Sequence, residues 1–466
     1  MLKIYNTLSR KSETFKPNEK VKAFVCGPTV YDYAHLGHAK TYIQFDFIIK
    51  YLRYKKFNVF YLQNITDIDD KIIKKANEEK IDWKELSRKF EKLYIEDMNS
   101  LGIDSVDKYA RATDYIKEIV SQVKRLIEKG YAYKISDGYY FDTSKFKDYG
   151  KLAKRTNLEE NDSVSRIDEN KEKKNKIDFC LLKFSKPGEP YWEDVIEVKD
   201  KKVKFRPGWH IEDTAITEKE LGEQYDLHGG GLDLITPHHE AEIAQMEAIS
   251  GKEPFVKYWI HTGFLKINKE KMSKSLGNFK TVRDVLKIYN KNTIRFLFIS
   301  SHYRKPLDFS EEALEQAKNS VEKLNEFILK LNNYNSKSKD YKKLEQLITK
   351  TRKEFEKSID NDFETAQAIA SLFEFTREIN KLISEEKLSN SNIKTILEFM
   401  KELNSVLGFI ELEKEKIPKE ILELVNKREE VRKNKNFKES DVLRDKIKSL
   451  GYLVQDTEKG PILKKL

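Results

Sequence analysis

Cysteine is nearly absent. Only Cys26 and Cys180 carry thiols in 466 residues. So sparse a supply excludes a disulfide framework and suits a reduced, cytoplasmic setting. No apolar run approaches the roughly 20 residues that a membrane span needs. The opening MLKIYNTLSRKSE shows neither an apolar h-region nor a small-residue cleavage site, so no signal peptide is expected. No internal repeat is found. Charge, by contrast, is plentiful: 36% of residues are charged against 39% hydrophobic, the mark of a cored protein with a highly charged surface. The net charge of +10 suits a polyanionic partner, although Lys-rich codon usage would produce the same surface. The length allows about three domains of roughly 150 residues each.

The first third alternates strand-like and helix-like pieces. VKAFVCG is a buried strand, LGHAKTYIQFDFIIKYLRYKK carries apolar residues at helical spacing, and FNVFYLQNIT is a second strand. Strand, helix and strand at this spacing make a βαβ unit and imply a parallel sheet. From about Ser105 to Lys204 the texture changes: a helix ending at Gly130, a hairpin in GYAYKISDGYYFDTS and a solvated charge run, NKEKKNK. This reads as an insertion. The α/β pattern resumes with EQYDLHGGGLDLI and with YWIHTGFLKI, read as one strand. After Asp308 long amphipathic stretches indicate a helical bundle. A tail follows with a basic helix, KESDVLRDKIKSLG, and a strand, GYLVQD.

Three constellations carry chemistry. In CGPTVYDYAHLGHAK a strand ends, Gly27 and Pro28 turn the chain, and a helix begins near Leu36. His35 and His38 then share one face of a helix N-terminus, a natural phosphate site. Gly37 between them lets a flat base approach the backbone. KMSKS places Lys271 and Lys274 three residues apart on a small-residue loop, two ammonium groups suited to a departing polyphosphate. In LHGGGLDLITPHHEAEIAQ, Gly229–Gly231 leave backbone open to a ligand, Gly230 included, and Asp233 is placed to accept from a ribose. His238 and Glu242 are four apart, a spacing that on a helix forms a surface pair or clasps a metal. GWHIEDTAI, Gly208–Ile216, sits beside a prolyl turn; it is either a solvated turn or a metal-ligating segment.

Taken in order, FVCGPTVYDYAHLGHA, NITDIDDKI, KPGEP, RPGWHIE, LHGGGLDL, PHHEAEIAQ, KMSKSLGNF and SHYRKPLDFS resemble the cysteinyl-tRNA synthetase family of class I aminoacyl-tRNA synthetases. The resemblance runs over nearly the whole chain, including DNDFETAQAI and VLRDKIKSLG. It implies a Rossmann-type parallel-sheet catalytic domain with an inserted connective domain, a C-terminal helical bundle and a small mixed tail domain. The expected division is 1–104 and 205–265 for the two catalytic halves, with 105–204 for the insertion. The KMSKS loop and stem-contact region takes 266–310, the tRNA-binding bundle 311–410 and the anticodon-recognition domain 411–466. The implied reaction joins cysteine and ATP into cysteinyl-adenylate, then moves the cysteinyl group to the terminal adenosine of tRNA(Cys). His35, His38, Lys271 and Lys274 would serve the chemistry. Gly37, Gly230, Asp233 and Lys274 would hold ATP, accompanied by Mg²⁺. Cys26, Thr66, Trp209 and His228 would line the cysteine pocket, although Trp209 would equally pack on a sheet edge. The family's zinc ligands map to Cys26, position 213, His238 and Glu242, one ion per chain. A monomer is implied.

Two positions depart from the pattern. Many members carry cysteine where this chain has Asp213. Zinc accepts carboxylate oxygen as well as sulfur, and the exchange conserves ligand charge, so Asp213 is expected to ligate, with a harder and less strongly retaining site as the consequence. The alternative is that Asp213 caps a turn, but Thr217-x-x-Glu220 already reads as the capping box of the following helix. The tail has Leu463 near the usual place of a tryptophan. Candidate tRNA contacts there are Arg432, Lys433, Lys435 and Lys438, with Phe437 available to stack on a base. Two other functions share parts of the pattern: a ligase passing cysteine to a small amine, and a non-catalytic RNA-binding relative. The roughly 150 residues after Asp308 argue against the first, and intact HLGH and KMSKS against the second.

Overall fold

The computed structural model describes residues 1–154, 170–197, 201–271, 280–412, 418–434, 436–457 and 460–465. Five parallel strands form the central sheet: β1 (Lys20–Val25), β2 (Asn58–Ile65), β3 (Lys108–Arg111), β4 (Tyr225–Gly231) and β5 (Val256–Thr262). Their order across the sheet is β5-β4-β1-β2-β3. That is the doubly wound arrangement, in which strand order reverses at β1/β4 and ligands bind in the crevice beyond the strands' carboxyl ends. The strands are apolar along both faces because both are covered. On one face lies helix α1 (Leu36–Tyr54), so close that a Cβ on Gly229 would fall 2.3 Å from the Phe45 ring. On the other, Phe24, Leu62 and Trp259 share a core with helix Ile116–Glu128 and with α2 (Trp209–Leu221) and α3 (Glu240–Ser250).

Between β3 and β4 the chain builds a second, antiparallel sheet. Its hairpin Ala132–Ile135/Gly138–Phe141 is continued by Phe179–Phe184, Val203–Pro207 and Trp192–Asp194. Two boundaries differ from those expected. Strand β3 lies within the segment assigned to the insertion but pairs in parallel with β2. Val203–Pro207, at the other border, pairs with the inserted strands. Three short segments, Leu265–Ile267, Glu270–Lys271 and Leu307–Phe309, form a separate small sheet. The stretch YWIHTGFLKI is therefore two strands, broken at Gly263, where a Cβ would lie 2.5 Å from the Lys305 carbonyl oxygen.

Four helices follow: Glu311–Asn332, Leu344–Ile359, Thr365–Ser384 and Asn390–Leu407. Their buried positions recur at three- and four-residue spacing, as in Leu314, Ala317, Val321, Leu324, Ile328 and Leu331. The bundle belongs to the same compact unit as the catalytic sheet, residues 1–410. Fully buried Arg295 ties them, donating to Asp46 of α1 at 2.8 Å and to the Leu407 carbonyl at 3.3 Å. Residues 411–466 form a second unit. In it helices Lys419–Lys433 and Phe437–Ser449 and a two-stranded sheet share a small core of Ile421, Val425, Ile447, Tyr452 and Val454.

Candidate active site

The carboxyl end of β1 delivers Cys26 to the switch point of the sheet. The turn after it closes tightly on β2: a Cβ at Gly27 would sit 1.7 Å from the Asn64 carbonyl oxygen. Thr66 pins the same turn, its N–H donating to Pro28 O at 3.1 Å and its carbonyl accepting from Val30 N at 3.2 Å.

GWHIEDTAI is not a turn, and Asp213 does not cap one. Gly208 is the N-cap of α2, and Trp209–Leu221 is helical throughout. Thr217 and Glu220 therefore lie inside that helix and make no capping box. Thr217 donates to the Thr214 carbonyl at 3.2 Å, and Glu220 pairs with Lys108 at 2.8 Å. Helical spacing places Trp209 and Asp213 one turn apart. His238 lies in the irregular turn before α3, and Glu242 on the first turn of α3 itself.

These elements converge. Cys26, Asp213, His238 and Glu242 each present a ligand atom, and the four atoms lie within 4.8 Å of one another, all buried. His238 Nε2 stands 3.0 Å from both Asp213 Oδ2 and Glu242 Oε1. A second set shares two of the members: Cys26, His228, His239 and Glu242. Cys26 Sγ is 3.1 Å from His239 Nε2 and 3.4 Å from His228 Nε2. The rings are held from behind. His210 Nδ1 meets His238 Nδ1 at 2.8 Å, Tyr225 Oη meets His228 Nδ1 at 2.6 Å, and His261 Nε2 meets His239 Nδ1 at 2.8 Å. Trp209, 40% exposed, stacks its ring on His238 with centroids 4.2 Å apart.

Electrostatically the cluster is short of positive charge. Burial raises the Cys26 thiol well above its ordinary value, and Glu242 and Asp213 raise it further. Glu242 is raised by burial and by Asp213, with His238 opposing. Burial disfavours charge on His238, but Glu242 and Asp213 overcome it and push the ring up to about 10. His228 and His239 are driven down, first by burial and then by neighbouring histidines, so they stay neutral. Glu242 Oε2 stands 3.2 Å from His228 Nε2 and finds no hydrogen-bond partner among the described residues. A thiol, two carboxylates and an imidazole collected in a buried pocket are the donor set that a divalent cation would satisfy, replacing the protons that otherwise hold the charges apart.

Beside the cluster, at the N-terminus of α1, His35 is the N-cap and accepts from His38 N at 3.3 Å. The two imidazoles stack with centroids 3.7 Å apart. Gly37 is in the first turn between them. The segment after KMSKS returns to this point: Leu36 N donates to Lys280 O at 3.2 Å and Val282 N to Ala34 O at 2.9 Å. Lys271 ends the short strand Glu270–Lys271, whereas Lys274 lies outside the described residues. Asp233 is exposed on a turn just past β4. Gly230 is buried, and a Cβ there would meet the side chains of Leu234 at 2.9 Å and His239 at 3.0 Å. The glycine run is thus occupied, at Gly229 and Gly230, by the chain's own side chains and is not left open.

Sequence reasoning missed several participants. His239 carries no spacing signal of its own in the sequence, although it adjoins His238. Asn64 and Glu212 lie within NITDIDDKI and RPGWHIE, and Tyr225 just before LHGGGLDL, but nothing in those stretches assigns them a role. Buried Glu212 accepts from Thr66 Oγ1 at 3.0 Å, so Thr66 faces α2. In the tail, Arg432 is engaged with Asp456 at 2.6 Å, Phe437 is 62% exposed, and Leu463 packs against the small core. Lys433 and Lys438 are exposed, and Lys435 is outside the described residues.

The family model for the tRNA synthetase class I (C) catalytic domain matches residues 13–319, which makes this a class I tRNA synthetase fold. Models for the DALR domain and for the cysteinyl-tRNA ligase anticodon binding domain match residues 354–411 and 414–460. A cysteine–tRNA ligase of Thermococcus gammatolerans is 46% identical over 100% of this chain and 99% of its own length. One of Methanococcus maripaludis is 44% identical over the full length of both. The chain belongs to the cysteine–tRNA ligase family. At the level of fold it also resembles the Mycobacterium tuberculosis methionyl-tRNA synthetase in complex with methionyl-adenylate. There the TM-score is 0.61 and the identity 15%, over 84% of this chain and 92% of that one.

Proposed function

We propose that this chain is a cysteine–tRNA ligase that forms cysteinyl-adenylate from cysteine and ATP and passes the cysteinyl group to the terminal adenosine of tRNA(Cys). One observation carries the proposal: a buried thiol, imidazole and two carboxylates gathered at the switch point, next to a helix N-terminus bearing two histidines.

Cys26, Asp213, His238 and Glu242 would hold one Zn²⁺ per chain. A bound zinc would supply an affinity for sulfur that a serine hydroxyl cannot match, which makes it the source of selectivity without an editing site. Trp209 walls the entrance. Thr66 and Glu212 steady the turn and helix that carry Cys26 and Asp213, and His228, kept neutral, closes the rear of the pocket. His35 and His38 contact the ATP phosphates at the N-terminus of α1, where unpaired N–H groups and the helix dipole add their attraction. Gly37 and Asp233 border the nucleotide, and Mg²⁺ accompanies it. The cysteine carboxylate oxygen attacks the α-phosphorus in line, and the bond to pyrophosphate breaks. The protein's part in that step is alignment and charge stabilisation, to which Lys271 and Lys274 contribute on the leaving side. The bundle and tail track the tRNA, with Lys433, Lys435, Lys438 and exposed Phe437 toward the anticodon. The enzyme acts as a monomer in the cytoplasm.

ATP–pyrophosphate exchange tests the reading. Exchange should require cysteine, and serine should support it at least about 10³-fold less well. Subsequent transfer should go to tRNA(Cys). Exchange without transfer to tRNA but with transfer to an amino sugar would establish the small-amine ligase instead. No cysteine-dependent exchange would leave only an RNA-binding role.

A further inference from the structure

A cysteine ligand offers a metal one sulfur with no preferred rotation about its last bond. An aspartate offers two oxygens on a plane that turns freely. Placing aspartate at position 213 therefore introduces a freedom that something must remove if one oxygen is to serve as ligand. The structure shows what removes it. Asn64, at the end of β2 and 2% exposed, donates from Nδ2 to Asp213 Oδ1 at 2.6 Å. This occupies one carboxylate oxygen and leaves the other, Oδ2, facing His238 Nε2 at 3.0 Å, inside the ligand cluster. The amide cannot be turned the other way. Its Oδ1 accepts from the backbone N–H of Gly27, the residue after Cys26. Reversal would set donor against donor there and acceptor against acceptor at Asp213. One side chain thus spans the turn that carries Cys26 and the helix that carries Asp213.

We infer that Asn64 is the positioning residue that lets an aspartate do the work of a metal-binding cysteine: its amide fixes which oxygen of Asp213 faces the ion. The inference rests on the metal reading proposed above and deepens it. A ligand-orienting donor of this kind is worth about 10–100-fold in metal affinity. A thiolate at position 213 would have no second atom to orient, so the same amide should matter little to it.

A double-mutant cycle separates orientation from mere support of the turn. Zn²⁺ affinity of the full-length chain is measured by competition with a chromophoric chelator for four proteins: unaltered, Asn64→Ala, Asp213→Cys, and the two substitutions together. Asn64→Ala should weaken Zn²⁺ binding about 10–100-fold in the Asp213 chain and less than about threefold in the Asp213→Cys chain. Equal losses in both backgrounds would show that Asn64 only supports the Gly27 turn, and would overturn the inference, as would no loss in either. Should Asn64→Ala prove insoluble, Asn64→Ser replaces it in both backgrounds, being too short to reach Asp213. The d–d spectrum of Co²⁺-loaded protein gives a second readout, expected to change on Asn64→Ala only when Asp213 is present. Asp213→Ala checks the underlying reading separately. Unchanged Zn²⁺ affinity there would remove Asp213 from the ligand set, whatever Asn64 does.

Discussion

Trp209 shows how a single side chain divides between binding and stability. The residue is 40% exposed, and its ring leans on His238 and His210. Removing it should cost about 1–3 kcal/mol in folding, because more than half of its surface is buried although its ring packs on histidines. Trp209→Ala should also raise the KM for cysteine about tenfold or more with a smaller change in kcat, the pattern of lost ground-state binding. Thermal melting and exchange kinetics on the same preparation would check both halves; a lowered kcat with unchanged KM would remove Trp209 from the pocket wall. Residue-level legibility was uneven for a physical reason. His238 and Glu242 announce themselves because four residues make one helical turn. Asp213 is legible only against the family's pattern. Asn64 and His239 become meaningful only when β2 and α3 are brought to the same point.

Among the elements, the turn between β1 and α1 is under the greatest steric demand. It lets Cys26 emerge from the sheet while the next residue presses on the β2 backbone. With a carbonyl oxygen 1.7 Å from the place a Cβ would take, Gly27→Ala cannot be absorbed by moving a flexible side chain. The strand pair itself would have to part. The substitution should destabilise the chain by about 3 kcal/mol or more and lower bound metal, since Cys26 moves with the turn. Urea unfolding and metal analysis would measure the two effects; an unaltered midpoint would contradict the geometry. Glycine beside a motif cysteine could be read from sequence as a turn, but not the surface it closes on. The same limit applies to GWHIEDTAI. Tryptophan, histidine and two acids after a Pro-Gly pair look like an exposed turn, yet Ile211, Ala215 and Ile216 supply the apolar stripe that makes it a helix against the shared core.

At the scale of the whole chain, residues 1–410 are joined by a few buried charges, and Asp362 is one that links three distant segments. It accepts from Tyr5 N at 2.8 Å, from Tyr303 Oη at 2.8 Å and from both Nε and Nη2 of Arg304 at 2.9 and 2.7 Å. Burial works against its charge, but hydrogen bonds from His302, Tyr5 and Tyr303, with the Arg304 guanidinium, outweigh burial and hold the carboxyl below its ordinary value. A depressed carboxylate pKa means that the folded state binds its proton less readily than the unfolded chain. The stabilisation is therefore complete above the unfolded value, near pH 4, and is lost as pH falls through the folded one. Asp362→Asn should cost about 2–4 kcal/mol at neutral pH. Its melting temperature should converge on that of the unaltered chain below about pH 4. A gap that stays constant across that range would place the role of Asp362 in packing and not in charge.

Local order was readable in advance because it depends on spacing along the chain. Apolar alternation marks β1 and β2, three- and four-residue repeats mark α1 and the bundle, and HLGH, KMSKS and PHHE keep their meaning wherever they lie. Tertiary structure alone decided which atoms meet. It broke YWIHTGFLKI at Gly263, handed β3 to the parallel sheet, filled Gly229 and Gly230 with Phe45 and His239, and set Asn64 behind Asp213. Those outcomes depend on contacts between residues as far apart as Phe45 and Gly229, and such contacts form only once the sheet has twisted and its helices have closed over it. Residue types told which donors could hold a metal; only the packed crevice buried them and placed them within 4.8 Å of one another.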